Sequence, residues 1–251
     1  MIRPGDVALV TGAGRGIGRA TAIALADAGC RVVVASRTAA DLDTLVAEIR
    51  ARGGTASAVV ADVSREEDAS AMVARALDEH DAVDILVNNA GVGTVAPSEV
   101  ADYDTAEWDR IVGVNLRGAF LCAKHVLPHM RARRRGAVIS VGSISGRRGA
   151  PNVSPYTVSK FGLAGLHEAL LAENHRHGIR VMMVSPGPTD STIWDAKRTP
   201  LTPEVRAAMM RPERVAHVVR FLAELPEGMR IDEIVVLPEQ FPVKLWDYRV
   251  E

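Results

Sequence analysis

VTGAGRGIG, residues Val10 to Gly18, is the stretch that decides the fold. It has the glycine density of a phosphate-cradling turn, yet the G-x-G-x-x-G dinucleotide pattern does not fit it. Started at Gly12, the third glycine of that pattern falls on Ile17; started at Gly14, it falls on Arg19. A Walker loop is excluded too, because no Gly-Lys-Ser/Thr follows. A β-branched run, Val7–Val10, precedes the glycines. A helical pattern follows them, with Ala20, Ile23, Ala24 and Ala28 on its packing side. The glycines therefore stand at a strand-to-helix turn, where free N–H groups and the helix dipole favour phosphate. In that setting Gly12 permits the tight turn, Gly16 lets the backbone approach a pyrophosphate, and Gly18 lets the helix pack close to the sheet.

Outward from this turn, short apolar runs alternate with longer amphipathic ones. The pattern predicts strands over Val7–Val10, Arg31–Ala35, Ala56–Ala61, Asp84–Asn88, Gly136–Val141, Arg180–Ser185 and Ile231–Leu237. Helices are predicted over Gly16–Ala28, Ala40–Arg52, Glu66–Glu79, Thr105–Arg133, Tyr156–His177 and Pro212–Leu225. Strands so continuously apolar are buried on both faces, which calls for helices on both sides of a parallel sheet. The expected fold class is α/β: one Rossmann-like, doubly wound parallel sheet of about seven strands, as a single domain over residues 1–251. Two stretches break the alternation. Gly187–Met210 holds Pro188, Pro200 and Pro203 and is expected to be a substrate loop or lid. The tail 238–251 carries Phe241, Trp246 and Tyr248 in a chain only 4% aromatic, and is expected to cover a cleft or clasp a neighbouring subunit.

A net charge of −1 gives no reason to expect a nucleic-acid or anionic-membrane partner. The basic run Arg131 to Arg135 falls at a helix end, where a solvated cluster complementing the dipole is expected. The start, MIRPGDVALV, has no signal-peptide pattern, and no apolar run approaches the ~20 residues that span a membrane. Cys30 and Cys122 read as buried free thiols of a reducing compartment, and the cytoplasm is the expected location. His125 and His129 are four apart but have no carboxylate or cysteine beside them, so they read as structural and no metal is expected. His175 and His177 read as complements to a helix dipole.

The second strand narrows the ligand. An NAD-specific Rossmann protein places Asp or Glu at its end to bind the ribose 2′-hydroxyl. Here Ser36 and Arg37 stand in that place, and an arginine there attracts a 2′-phosphate. Arg15, inside the glycine loop, adds a second cation. The cofactor expected from these residues is NADP(H).

Tyr156 and Lys160, four apart, project from one helix face. A lysine charge beside a tyrosine stabilises phenolate and lowers the hydroxyl toward the working pH of a general acid. With this pair the chain resembles the short-chain dehydrogenase/reductase family. Thr11 to Gly18 is similar to its TGxxxGxG loop, Asn88-Asn89-Ala90-Gly91 to its NNAG motif, and Tyr156 to Lys160 to its YxxxK. Ser143 stands where the catalytic serine of the family does, and Asn115 matches its helix asparagine. Asp62-Val63 resembles the pair that contacts adenine, and Pro186-Gly187 the motif after the sixth strand. The resemblance covers roughly Val7 to Leu237.

The resemblance implies roles residue by residue. Tyr156 would be the acid/base, and Lys160 would lower its pKa and hold the nicotinamide ribose. Ser143 would hydrogen-bond the substrate carbonyl, and Asn115 would hold a water linking Lys160 to solvent. Gly12, Arg15, Gly16, Ile17, Gly18, Arg37, Asp62, Val63, Asn89, Ala90, Gly91, Pro186 and Gly187 would line the cofactor. Thr189, Ser191 and Thr192 are rivals for the carboxamide contact. Asn89 would also tie the central sheet.

The family resemblance implies an NADP(H)-dependent oxidoreductase interconverting a carbonyl and an alcohol on a small-molecule substrate. An NAD-linked alcohol dehydrogenase of the same family and a non-catalytic NADP(H)-binding sensor or scaffold are the alternatives. Arg147 and Arg148, after Ser143, either recognise an acidic substrate group or face solvent or a subunit contact. The helices over Thr105–Arg133 and Tyr156–His177 resemble those that pair between subunits in the family, which implies a homo-oligomer, a tetramer before a dimer.

Overall fold

The computed structural model describes residues 2–195 and 201–239. Seven strands form one all-parallel sheet: β1 (Val7–Thr11), β2 (Arg31–Ser36), β3 (Thr55–Val60), β4 (Ile85–Asn88), β5 (Gly136–Val141), β6 (Ile179–Pro186) and β7 (Glu233–Val236). Their spatial order is β3-β2-β1-β4-β5-β6-β7. Each strand sits close to its predicted place. The apolar runs that marked β1, β4 and β5 are buried throughout, as strands covered on both faces must be.

Helices α1 (Gly16–Asp27), α2 (Ala39–Ala51) and α8 (Pro212–Glu224) cover one face, closing a core around Leu25, Leu45, Ile85, Ile139 and Val219. On the other face α3 (Glu66–His80), α5 (Gly118–Arg133) and α6 (Ser154–Asn174) pack over Leu9, Met72, Leu86, Leu121 and Val181. Between β1 and β4 the chain order reverses, from β3-β2-β1 on one side to β4 onward on the other. In open α/β sheets a crevice for ligands lies at such a point, at the carboxyl ends of the strands.

The helix predicted over Thr105–Arg133 is not continuous. It runs as α4 (Thr105–Val112), one π turn (Gly113–Arg117) and α5. Such turns insert an extra residue into the hydrogen-bond ladder and often mark functional positions; Asn115 lies within this one.

The basic run also differs from expectation. Arg135 pairs with Asp6 at 2.6 Å and with Asp84 at 3.2 Å, and Arg133 reaches Asp84 at 3.1 Å. Asp6 and Asp84 are buried, and Asp84 also accepts the Val7 amide at 2.9 Å. Part of the run is thus an ion network under the amino ends of β1, β4 and β5, a long-range pairing that local helix-end reasoning misses. Arg131 donates to Asn174 and Arg134 to the Arg176 carbonyl, closer to the expected capping role.

Cys30 and Cys122 are buried free thiols, and burial pushes each up to about 12. Among the described residues no helix is long and apolar enough to cross a membrane. The tail's Phe241, Trp246 and Tyr248 lie outside the described residues, as does part of the predicted lid.

Candidate active site

The glycine loop closes the crevice from the β1 side. Gly12 and Gly16 hold φ of +63° and +54°, the left-handed region that favours glycine. A Cβ at Gly12 would stand 2.7 Å from the Ala90 Cα, and one at Gly18 would stand 2.3 Å from the Gly12 carbonyl oxygen. At Gly16 the one neighbour is Ser191, at 3.2 Å. Gly12 and Gly18 are thus required by close contact within the protein, and Gly16 by its conformation. Arg15 precedes α1 in extended conformation with no side-chain cap, and the first turn of α1 holds no acid. Uncapped N–H groups beside a clear glycine are a cradle for a pyrophosphate, so the residues present fit a dinucleotide. Ile17, by contrast, turns its side chain into the core.

Thr11 ties this loop to the other wall, a role the motif reading had not assigned. Its hydroxyl donates to the Val87 carbonyl at 3.2 Å and accepts the amides of Asn89 and Ala90, each at 3.1 Å. The Asn89 amide donates to the carbonyls of Thr11 (2.9 Å) and Gly12 (3.1 Å), so it does tie β1 to β4.

At the adenosine end, Gly14, Ser36 and Asp41 meet: a Cβ at Gly14 would be 3.0 Å from that of Asp41 and 3.1 Å from the Ser36 hydroxyl. Both predicted cations are engaged by carboxylates. Arg15 pairs with Asp41 at 2.7 Å, and Arg37 approaches Asp62 at 3.8 Å. Partial burial pushes the Asp62 carboxyl up, but the Ser64 hydroxyl and amide and Arg37 together hold it below the usual range. The Val63 side chain is buried, and a Cβ on Gly118 would stand 2.7 Å from it.

The third wall carries Ser143, Tyr156 and Lys160. Ser143 follows β5 in extended conformation and accepts the Ser145 amide at 3.1 Å. The short 3-10 turn Ile144–Gly146 then lies against α6, where a Cβ on Gly146 would be 2.7 Å from the Lys160 carbonyl. Pro155 in the first turn of α6 favours starting the helix there, which puts Tyr156 in that turn and Lys160 one turn on. The Ser143 side chain stands beside the Tyr156 hydroxyl and pulls its titration down. The Lys160 ammonium donates to the Val141 carbonyl at 3.0 Å and lies 5.8 Å from the Tyr156 ring centre.

The charge state of this pair departs from expectation. Burial pushes the Tyr156 hydroxyl above its usual value, and the nearby Ser143 side chain pulls it only partly back. Burial also lowers Lys160, 6% exposed, to about 8. The lysine bonds a carbonyl and faces the ring, so desolvation outweighs the phenolate stabilisation inferred from spacing alone.

Asn115, 1% exposed, spends its side chain on structure. Its oxygen accepts the Val92 amide at 2.8 Å, and its nitrogen donates to the Val92 carbonyl and the Ser159 hydroxyl, each at 3.0 Å. Ser159 in turn donates to the Tyr156 carbonyl at 2.8 Å. The sequence reading left Ser159 out, although it directly precedes Lys160. Gly91 lies where these groups converge: a Cβ there would be 3.5 Å from the Asn115 oxygen and 3.9 Å from the Lys160 ammonium.

After β6, the Gly187 amide donates to the Val236 carbonyl at 2.7 Å, fixing Pro186-Gly187 at the crevice edge. Of the three hydroxyl rivals, Thr189 donates to the Gly187 carbonyl at 3.1 Å, and Ser191 is the one beside Gly16. Arg147 is an ion-pair partner of Glu233 on β7, bonding it at 3.0 Å through Nε. Without substrate, its guanidinium is thus occupied by an acid of β7. His125 stands 3.7 Å from Glu66, and His129 lies 3.3 Å from Arg133.

Known proteins share this arrangement of strands and walls. The short chain dehydrogenase family matches residues 6–201. A 3-oxoacyl-[acyl-carrier-protein] reductase of Synechocystis is 38% identical, covering 90% of this chain and 92% of its own. A metagenomic short-chain oxidoreductase solved in complex with NADP superposes with a TM-score of 0.82 at 34% identity, over 94% of this chain and 98% of that one. A 3-ketoacyl-(acyl-carrier-protein) reductase of Brucella melitensis, complexed with NADH, gives 0.84 at 31% identity over 94% and 98%. The chain belongs to the short-chain dehydrogenase family, an oxidoreductase of the kind that works with a nicotinamide cofactor on carbonyls and alcohols.

Proposed function

We propose that the protein is an NADP(H)-dependent reductase of ketones or aldehydes, run reversibly as an alcohol dehydrogenase, with Tyr156 as acid/base. The observation that carries this reading is the convergence of Ser143 and Tyr156 at the carboxyl end of the sheet, with Lys160 buried one turn behind and 5.8 Å from the Tyr156 ring centre. When bound, the nicotinamide supplies the hydride chemistry. Ser143 donates a hydrogen bond to the substrate carbonyl oxygen and polarises it. Tyr156, protonated at neutral pH because burial raises it, gives its proton to that oxygen as the carbon is reduced. Lys160 in its ammonium form then favours the phenolate left behind. Asn115 holds the π turn against Val92 and Ser159, keeping the Tyr156 helix in register, and its place in proton return is through the turn it braces.

For the cofactor, Gly12, Gly16 and Gly18 shape the pyrophosphate cradle, with Asn89, Ala90, Gly91, Pro186, Gly187, Thr189 and Ser191 around the nicotinamide half. Arg15 and Arg37 flank Ser36 and turn from Asp41 and Asp62 to a 2′-phosphate. Both pairs are largely exposed, and exposed pairs are worth only ~0–1 kcal/mol, so a phosphate competes for them readily. The relatives bound to NADP and NADH keep the NAD-linked reading in view, and Arg15 with Arg37 favours the phosphorylated form. The segment 187–210 is the substrate loop. Phe120 on α5 and Val158 and Phe161 on α6 are exposed, which supports pairing of these helices in a homotetramer. The test is kcat/KM over a panel of ketones and aldehydes with NADPH and NADH. Turnover with at least a tenfold preference for NADPH is expected; a tenfold preference for NADH, or cofactor binding without turnover of any carbonyl, contradicts the proposal.

A further inference from the structure

The segment after β6 is fastened in a way the reaction itself does not explain. Its outgoing and returning arms are zipped together: the Met210 amide donates to the Pro188 carbonyl at 3.0 Å and the Asp190 amide to the Met210 carbonyl at 2.8 Å. A single parallel bridge pairs Thr189 with Met210. The short turn Thr192–Trp194 folds back on the same place, with the Trp194 ring N–H donating to the Thr189 carbonyl at 2.9 Å. Arg206, on the short helix α7 (Pro203–Ala207), then crosses between the arms. Its Nη1 bonds Asp190 at 2.9 Å and its Nη2 bonds Asp195.

The arc held this way touches both walls of the crevice. Ser191 is the neighbour of Gly16 in the phosphate loop, and a Cβ on Gly93, just past Asn89-Ala90-Gly91, would stand 3.0 Å from Ile193. Asp190 directly precedes Ser191, so a carboxylate lies one residue from the segment that abuts the pyrophosphate cradle. Without a cation between them, Asp190 and Asp195 would repel each other and any anion bound at that loop. Arg206 neutralises one of these charges and joins the two in a fork that a point-like ammonium cannot match.

We propose that Arg206 is a positioning residue for the cofactor: its bridge from Asp190 to Asp195 holds residues 188–195 across the crevice and shields a bound dinucleotide from their charge. It acts through the two aspartates and touches neither substrate nor cofactor. The proposal rests on the dinucleotide reading above only for the identity of the ligand. Because the bridge is partly exposed, salt weakens it.

The test uses the full chain with Arg206→Ala, Arg206→Lys and Asp195→Asn, and two readouts. Amide hydrogen exchange across 188–195 and at Met210 reports the fastening without cofactor. The Kd for NADPH, measured by fluorescence, reports its consequence. Arg206→Ala is expected to speed exchange by ~tenfold and weaken NADPH by a similar factor, with kcat at saturating cofactor changed less than ~threefold. Arg206→Lys falls between on both readouts, and Asp195→Asn, which breaks one arm of the bridge but also removes a repelling charge, speeds exchange with little weakening of NADPH; both serve alone if the alanine variant does not fold. Raising salt to 1 M moves the hydrogen exchange of the wild type toward that of Arg206→Ala and leaves exchange in that variant nearly unmoved. Exchange unchanged or Kd unchanged in Arg206→Ala, or an exchange response to salt identical in the two proteins, overturns the proposal. If NADPH fails to bind the wild type, the cofactor reading falls, and the exchange result still decides the bridge.

Discussion

The two ends of this sheet treat buried charge in opposite ways. Under the amino ends of the strands, Asp6 and Asp84 are buried and answered by Arg133 and Arg135. At the carboxyl ends, Lys160 is equally buried but has a carbonyl and an aromatic ring for company. The first arrangement leaves each acid at its ordinary task of holding strands together. The second leaves an ammonium held at a cost, near the pH where it gives up its proton. A protein of marginal stability keeps such a group where it is used, and perturbed titration in a crevice marks a working site.

The sharpest way to break the comparison is at the paired end. Asp84→Ala leaves Arg133 and the Val7 amide without this acceptor and Arg135 with Asp6 alone, and should cost about 3 kcal/mol of unfolding free energy. Urea denaturation measures it, and kcat for the folded fraction should stay within about twofold. A large loss of kcat with little loss of stability would reverse the roles assigned to the two ends.

At the other end the sign should invert. Burial lowers Lys160 from 10.5 to about 8, so the folded protein binds its proton less tightly than the unfolded chain. Its penalty is present in full below pH 8 and fades as pH rises from 8 toward 10.5, so this group makes stability increase with pH across that window. The depression corresponds to ~3 kcal/mol. Lys160→Met should therefore raise the unfolding free energy from urea denaturation at pH 7 by ~1–3 kcal/mol once the lost Val141 bond is counted, and with it the midpoint, while removing most activity. A lowered midpoint would mean the ammonium is well compensated after all.

A smaller effect sharpens the same point. If the ammonium form of Lys160 supports the reaction, kcat/KM for carbonyl reduction should fall as pH rises above about 8. Tyr156 is pushed above its ordinary value by burial, so any decline of its own lies at higher pH than that of the lysine. A rate flat from pH 7 to 9.5 would remove the lysine charge from the mechanism.

What was legible beforehand follows the range of the interactions. The strands, the glycine turn and the Tyr156–Lys160 spacing are local, and a local pattern reads them. Ser143 was placed by resemblance to a motif. The π turn at Gly113–Arg117 was not legible, because Thr105–Arg133 carries an unbroken helical pattern and the extra residue is demanded by the Val92 and Ser159 partners of Asn115. The partners of Arg15, Arg37, Arg135, Arg147 and Arg206 were equally hidden. Each arginine meets an acid from a different element, and only the folded sheet brings them together. The titration of the Tyr156–Lys160 pair is hidden for a related reason: spacing reports proximity, whereas burial decides which effect on pKa wins.

One substitution bears most directly on the carboxyl end of the sheet. Tyr156→Phe removes a single hydroxyl at the end of a ring whose packing is otherwise kept. The prediction is a kcat for carbonyl reduction lower by about a hundredfold or more, with NADPH Kd and the urea midpoint close to wild type. Near-normal turnover in that variant would contradict the assignment of Tyr156 as the proton donor, and with it the reading of the carboxyl end of the sheet as the reactive one.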